Sequence, residues 1–242
     1  MQPRSPSQKR ILASLADLPL TTAASAYLES RGLLEVATDL RFGAVPDSPA
    51  PKLRQYAGRL VIPSIGPGGN VYDVAFRCIL PHDCKAEDCP KYLFLPGLDK
   101  RLYNLQALAT AGDTIEITEG QLDAASLVAC GLHAVGVPGV NGWKPHHHRL
   151  FQGYDRVRVW GDGDVAGKAF AEKVSNLVAG ADVMMVPFGD DVNTTLITQG
   201  RDAILAIAEG EPEDDGDDDG WGLDGGSDPA PEWEHDSEPP PF

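Results

Sequence analysis

From Asp113 onward the chain alternates between two hydrophobic rhythms, and that alternation limits the folds open to it. The segments "TIEIT" (114–118) and "RVRVW" (156–160) repeat with the period of a strand. "GQLDAASLVACG" (120–131) and "GKAFAEKVSNLVAG" (167–180) carry small and apolar residues at helical spacing. "HAVGVPG" (133–139) and "DVMMVPF" (182–188) read as two more strands, "PHHHRLFQG" (145–153) as a short helix and 201–208 as a final one. A parallel strand pair needs a long crossover, and helices that make the crossover cover the sheet faces. Residues 113–208 are therefore expected to form an α/β domain, a central parallel sheet flanked by helices.

Residues 11–112 follow a different pattern. A Thr-capped helix, "TTAASAYLESRGL", ends at Gly32; strands at 59–65 and 71–80 flank a Gly-Pro-rich turn; "LYNLQALATAG" is a short helix stopped by Gly112. A mixed α/β subdomain thus precedes the parallel sheet. Residues 1–10 and 209–242 are expected to be disordered. The latter hold 14 of the 36 acidic residues and no Lys or Arg, with too much Pro and Gly to bury a core. That leaves 22 acidic against 20 basic residues elsewhere, so the formal charge of −16 belongs mostly to the tail and a basic groove on the body is compatible with it. No stretch approaches the roughly 20 apolar residues of a membrane span, and "MQPRSPSQKRIL" lacks the apolar core of a signal peptide. Four sparse cysteines fit a reducing compartment, with the cytoplasm as the expected location.

The acids sit at telling places. Glu119, the Asp162/Asp164 pair and Asp191 each lie just past the carboxyl end of an expected strand. In a parallel sheet those ends share one edge, where open α/β folds place their ligand crevice. Asp123, one helical turn beyond Glu119, faces the same way. Crowded carboxylates repel unless a divalent cation neutralises them, and hard oxygen ligands suit Mg²⁺ or Mn²⁺. Gly120 and Gly163 would let the backbone turn tightly beside the acids. A single Glu-Gly or Asp-Gly-Asp is ordinarily a solvated turn, and Asp164 can simply cap the following helix. The joint placement after three strands is what argues for a metal centre.

"IEITEGQLDAASLVACGLHAVGVPGVNGW" and "VWGDGDVAGKAFAEKV" together resemble a Toprim domain, the module shared by DnaG-type primases, topoisomerases, RecR and the OLD nucleases. "EGQLDA", "DGDVAGKAF" and "FGDDVNTTL" are similar to the primase forms EGxxD, DxDxAGxxA and GxDPDxxL, with Asn193 standing where the last has its second acid. Upstream, "YLESRGL", "FGAV", "GRLVIPSIGPGGNVYDVAFRCI", "KYLFLPG" and "LYNLQAL" resemble, in order, the N-terminal subdomain of the DnaG RNA-polymerase core. The resemblance covers roughly residues 20–200. It implies synthesis of RNA primers from ribonucleoside triphosphates on single-stranded DNA, with Glu119, Asp162 and Asp164 catalytic and Asp191, Asn193 and Asp123 joining them as metal donors. It also implies that Arg59, Arg77 and Lys91, with Tyr92 and Asn104 nearby, contact template or nucleotide. Lys168, which opens the helix beside the expected metal site, is a further candidate for a phosphate, although a lysine on a helix surface ordinarily meets only solvent. A replicative helicase or a separate zinc-binding template-recognition protein would be the partner. A Toprim nuclease or a noncatalytic nucleic-acid-binding adaptor is the alternative.

Two features stand apart from this pattern. "RCILPHDCKAEDCPKY" gathers Cys78, His82, Cys84 and Cys89, which are zinc-ligand types, but their spacing is not that of paired CxxC knuckles. Zinc and an ordinary polar loop are both open readings. The triplet His146–His148 cannot turn all its side chains to one ion on a helix, and reads as surface. The end of the chain, "DSEPPPF", resembles the acidic C-terminal tip of bacterial single-stranded-DNA-binding proteins, with Phe242 as an apolar anchor for a replication partner. Solubilisation and self-inhibition by nucleic-acid mimicry are the other readings of that tail.

Overall fold

A computed structural model describes residues 5–97, 100–139 and 142–210. Of the tail expected over 209–242, Glu209 and Gly210 instead close a helix, and the rest, with its tip Phe242, lies outside the described residues. At the other end residues 1–4 also lie outside the described residues, and over 6–10 the expected disorder gives way to a helix, α1 (Pro6–Ala16). Ser5 and Gln8 form a reciprocal capping box, Pro6 sits in the first turn, and Leu12 and Leu15 are buried.

Helix α2 (Thr22–Ser30) is capped by the Thr21 hydroxyl. Four strands follow: β1 (Gly43–Ala44), β2 (Leu60–Ile65), β3 (Val71–Arg77) and β4 (Tyr92–Phe94). They pair antiparallel in the order β1-β2-β3-β4, with Leu60 opposite Arg77 and Arg77 opposite Tyr92. Helix α1 packs with Val61, Val74 and Phe76 on one face of this sheet. Helix α2 and the second half of the chain close the other.

A short α3 (Ala107–Thr110) leads into β5 (Thr114–Thr118), α4 (Gln121–Ala129), β6 (Ala134–Gly136), β7 (Arg156–Gly161), α5 (Val165–Ser175), β8 (Ala181–Met185), α6 (Val192–Gln199) and α7 (Arg201–Glu209). The four strands are parallel in the order β6-β5-β7-β8. The α/β reading therefore holds, with a parallel sheet flanked by helices. The segment expected as a helix at 145–153 is a 3-10 turn, His147–Phe151, and α6 joins the set as a helix the periodicity did not suggest.

Side chains alternate across the parallel sheet as the pleat requires. Ile115, Ile117, Val157 and Val159 pack with Phe170, Ala171 and Val174 of α5. Trp160 faces the other way, in the cluster that holds Leu122, Ala125 and Leu127 of α4 and also Leu60 and Ile62 of β2. One apolar cluster thus joins both halves, and the described residues form a single contact unit. The boundary near Gly112 marks a change of sheet. No helix among the described residues is long and apolar enough to cross a membrane.

Candidate functional site

Strand β5 connects through α4 to β6 on one side, and β7 connects through α5 to β8 on the other. The crossovers diverge between β5 and β7, and such a switch of direction opens a crevice at the carboxyl ends of the two strands. Glu119 and Gly120 leave β5 at that point, and Asp162 leaves β7.

A cleft of about 320 Å³ occupies the crevice. From the parallel-sheet half it is lined by Glu119, Asp123, Asp162, Asp191 and Asn193. From the first half it is lined by Arg31 at the end of α2, Arg77 of β3, Lys91 and Tyr92 at the start of β4, and Lys100 beyond it. Acids from three loops are thereby brought together against a cationic face.

The loops are held by short contacts. The Gly163 N–H donates to the Asp190 carbonyl at 2.8 Å and the Gly189 N–H donates to the Gly163 carbonyl at 2.8 Å. A Cβ on Gly163 would collide with the Pro187 carbonyl, so only glycine lets the β7–α5 and β8–α6 loops approach this closely. Asp164 caps α5, its Oδ1 accepting from the Gly167 N–H at 2.7 Å. Asp191 caps α6 in the same way, accepting from Thr194 at 2.6 Å. Each cap leaves one carboxylate oxygen for another partner.

Mutual repulsion records the convergence. Burial, followed by the charges of Asp123, Glu119, Asp191 and Asp164, pushes the Asp162 carboxyl up to about 7. Burial and then Asp191 push Asp123 up to about 6. Burial and Asp164 raise Glu119. Among the described residues no salt bridge engages any of the three. Arg77 offsets the crowding at Asp123 only in part, and an all-oxygen set of acids that resists ionisation has the donor chemistry of a hard divalent cation.

The remaining expected residues divide. Arg77 is buried, donating from Nε to the Tyr27 hydroxyl at 2.6 Å and from Nη1 to the Tyr92 hydroxyl at 2.7 Å, at the cleft wall. Lys91 is exposed beside it. Arg59 is buried away from the cleft lining, donating to the Pro90 carbonyl at 2.7 Å. Asn104 is buried in a left-handed turn with φ 57° and donates to the Ala134 carbonyl at 2.9 Å, which makes it a brace between the halves. Lys168 is exposed on α5 and does not line the cleft.

Asn193, expected as a metal donor, lines the cleft but is already engaged. Its Nδ2 donates to the Arg31 carbonyl and to Ser126 Oγ, and its Oδ1 accepts from Arg31 Nη1 at 3.0 Å. His147 of the histidine triplet is buried against Trp143, while His146 is exposed.

Sequence reasoning missed Arg31 and Lys100. No local pattern marks them, because only the tertiary fold delivers them to the cleft. It also missed a buried ion pair. Arg158 and Glu116 face each other in register across β7 and β5. Arg158 Nε donates to both Glu116 oxygens at 3.0 Å, Trp160 Nε1 donates to Glu116 Oε2 at 2.7 Å, and Arg158 Nη1 reaches the Ala208 carbonyl of α7. The signal was present: Glu116 stands between Ile115 and Ile117, and Arg158 between Val157 and Val159.

Comparison with known proteins agrees with this layout. Residues 116–196 match the Toprim-like family model. The chain is 41% identical to the Gene 57 protein of Mycobacterium phage D29 over 152 residues, covering 62% of this chain and 97% of that one. It is 30% identical to a DNA primase of Myxococcus xanthus over 171 residues, which cover 64% of this chain but only 27% of that protein. Its fold matches a DnaG primase catalytic domain bound to single-stranded DNA with a TM-score of 0.66 at 23% identity, over 85% of this chain and 80% of that one.

Proposed function

The chain belongs to the family of the phage D29 Gene 57 protein and carries a Toprim-like domain, and from that premise we propose that it is the catalytic core of a DnaG-type DNA primase. It copies single-stranded DNA into short RNA primers from ribonucleoside triphosphates, in the cytoplasm of a phage-infected host. The observation that carries the reading is the meeting of Glu119, Asp123, Asp162, Asp164 and Asp191 at one sheet edge, opposite Arg31, Arg77, Lys91 and Lys100.

Glu119, Asp162, Asp164 and Asp191, with Asp123, would hold Mg²⁺ or Mn²⁺, which when bound supplies activation of the primer 3′-hydroxyl and neutralisation of the departing pyrophosphate. The protein's own cations do the rest. Lys91 and Lys100, both exposed, pair with phosphates of nucleotide or template. Arg77, fixed by Tyr27 and Tyr92, offers a preset guanidinium at the cleft wall. Arg31 donates to Asn193, which orients its guanidinium within the cleft. A replicative helicase or a separate zinc-binding protein supplies template recognition, and the acidic tail ending in Phe242 recruits a replication partner.

The test is incubation with single-stranded DNA, labelled ribonucleotides and Mg²⁺ or Mn²⁺. Short RNA products that disappear in Glu119→Gln are expected. Shortened DNA instead would assign the same acids to a nuclease, and binding without either product would leave an adaptor.

A further inference from the structure

The connection between β3 and β4 poses a problem of stability. Residues 78–91 contain no helix or strand. The stretch "PHDCKAEDCP" has almost no apolar side chain to bury, and most of it is exposed. Long irregular loops of this composition seldom hold one conformation without a staple.

Four chemically matched side chains meet inside it. One ligand atom from each of Cys78, His82, Cys84 and Cys89 lies within 4.8 Å of every other. His82 Nε2 is 3.4 Å from both the Cys78 and Cys84 sulfurs, and the Cys89 and Cys78 sulfurs are 3.7 Å apart. A disulfide would require about 2.05 Å. A tetrahedral zinc with Zn–S of about 2.3 Å and Zn–N of about 2.0 Å requires roughly 3.8 Å between sulfurs and about 3.5 Å from sulfur to nitrogen. Three of the six edges thus already match a Cys₃His tetrahedron, and the other three lie within 4.8 Å. No other group of three or more His, Cys, Asp or Glu among the described residues brings its ligand atoms this close.

We propose that Cys78, His82, Cys84 and Cys89 bind one structural zinc ion, which fixes the β3–β4 connection and through it the cationic wall of the cleft. The three cysteines bind as thiolates, so loading releases their protons to solvent, and the imidazole binds neutral. Three thiolates and one imidazole around Zn²⁺ leave one net negative charge. Arg59 is placed to balance it, donating from Nη2 to the Cys89 sulfur at 3.4 Å and from Nη1 to the Pro90 carbonyl at 2.7 Å. This gives the buried Arg59 a role that the cleft does not.

The link to the cleft is short. Cys78 directly follows Arg77, and its N–H donates to the Lys91 carbonyl at 3.0 Å. Cys89 precedes Lys91 by two residues. A groove lined by Tyr27, Arg31, Arg77, Lys85 and Lys91 runs along the loop and shares Arg31, Arg77 and Lys91 with the acid cleft. Closed four-ligand coordination makes the ion structural, with no open position for a water. The site stands apart from the Toprim acids and holds whatever reaction they perform.

The experiment is metal analysis of the full chain after exhaustive desalting in metal-free buffer, with Co²⁺ substitution followed by absorption. About one zinc per chain is expected, along with thiolate-to-cobalt charge transfer and tetrahedral d–d bands. Cys84→Ala and Cys89→Ala should each lower the retained zinc by roughly tenfold or more. Cys130→Ser, outside the cluster, should retain it. A wild-type chain that binds neither ion while all three loop thiols react freely would overturn the proposal. So would a Cys78–Cys89 disulfide, or stoichiometric zinc that survives both alanine variants. The wild-type measurements decide the matter even if a variant fails to fold.

Discussion

At the scale of single residues, the site is defined by carboxylates held where ionisation is unfavourable. Asp162 and Asp123 keep their protons to about 7 and about 6 in the folded chain, against an ordinary 3.8. Between about pH 4 and pH 7 the folded state therefore binds more protons than the unfolded one. Without a divalent ion, stability must fall as pH rises through that window. In chelator the Tm should drop between pH 5 and pH 8. Asp162→Asn should recover on the order of 1–2 kcal/mol at pH 8, change little at pH 5, and abolish activity. Mg²⁺ should flatten the pH dependence of the wild type. A chelated wild type no more pH-sensitive than Asp162→Asn would contradict the crowding. The acids themselves were legible because Glu-Gly and Asp-Gly-Asp declare a turn and a charge in the same few residues. The role of Asn193 was not, because its partners Arg31 and Ser126 are 162 and 67 residues away in sequence.

At the scale of elements, two contacts hold the site in shape. The first is the close approach of the β7–α5 and β8–α6 loops at Gly163. Gly163→Ala should cost about 1–3 kcal/mol by overpacking and separate Asp162 from Asp191. Urea denaturation and a divalent-ion titration should both register it. Unchanged stability and unchanged ion affinity would mean that the loops are free to part. The second is the buried Glu116–Arg158 pair, which ties β5, β7 and α7 together. Arg158→Met should destabilise the chain by roughly 3–5 kcal/mol, because it leaves a carboxylate buried with Trp160 as its one remaining bonded partner among the described residues. A loss under about 1 kcal/mol would show that water reaches Glu116.

The parallel strands and their crossover helices could be read from the sequence, since β5, β6 and β7 are short apolar runs buried on both faces and the half-exposed edge strand β8 keeps the apolar run Val183–Val186. Helix α6 could not, because "VNTTLITQ" is rich in β-branched residues that favour strands. The Asp191 cap and burial of Val192 and Thr195 override that preference. Helix α1 was hidden for the opposite reason: its Ser5 cap is clear, but few of its residues are buried, so its apolar stripe is thin.

At the scale of the molecule, an antiparallel sheet supplies cations and a parallel sheet supplies acids, and one apolar cluster fixes the two against each other. That arrangement explains why the order of motifs along the chain foretold the family while the composition of the cleft needed the fold. It also places the central claim within reach of one measurement, the affinity for Mn²⁺ of the wild type and of Glu119→Gln, Asp162→Asn and Asp191→Asn. If acids from the β5–α4, β7–α5 and β8–α6 loops serve a shared ion centre, each substitution should weaken binding by roughly tenfold or more. A Glu119→Gln chain that binds Mn²⁺ as tightly as the wild type, while Asp162→Asn does not, would separate the loops and contradict the account.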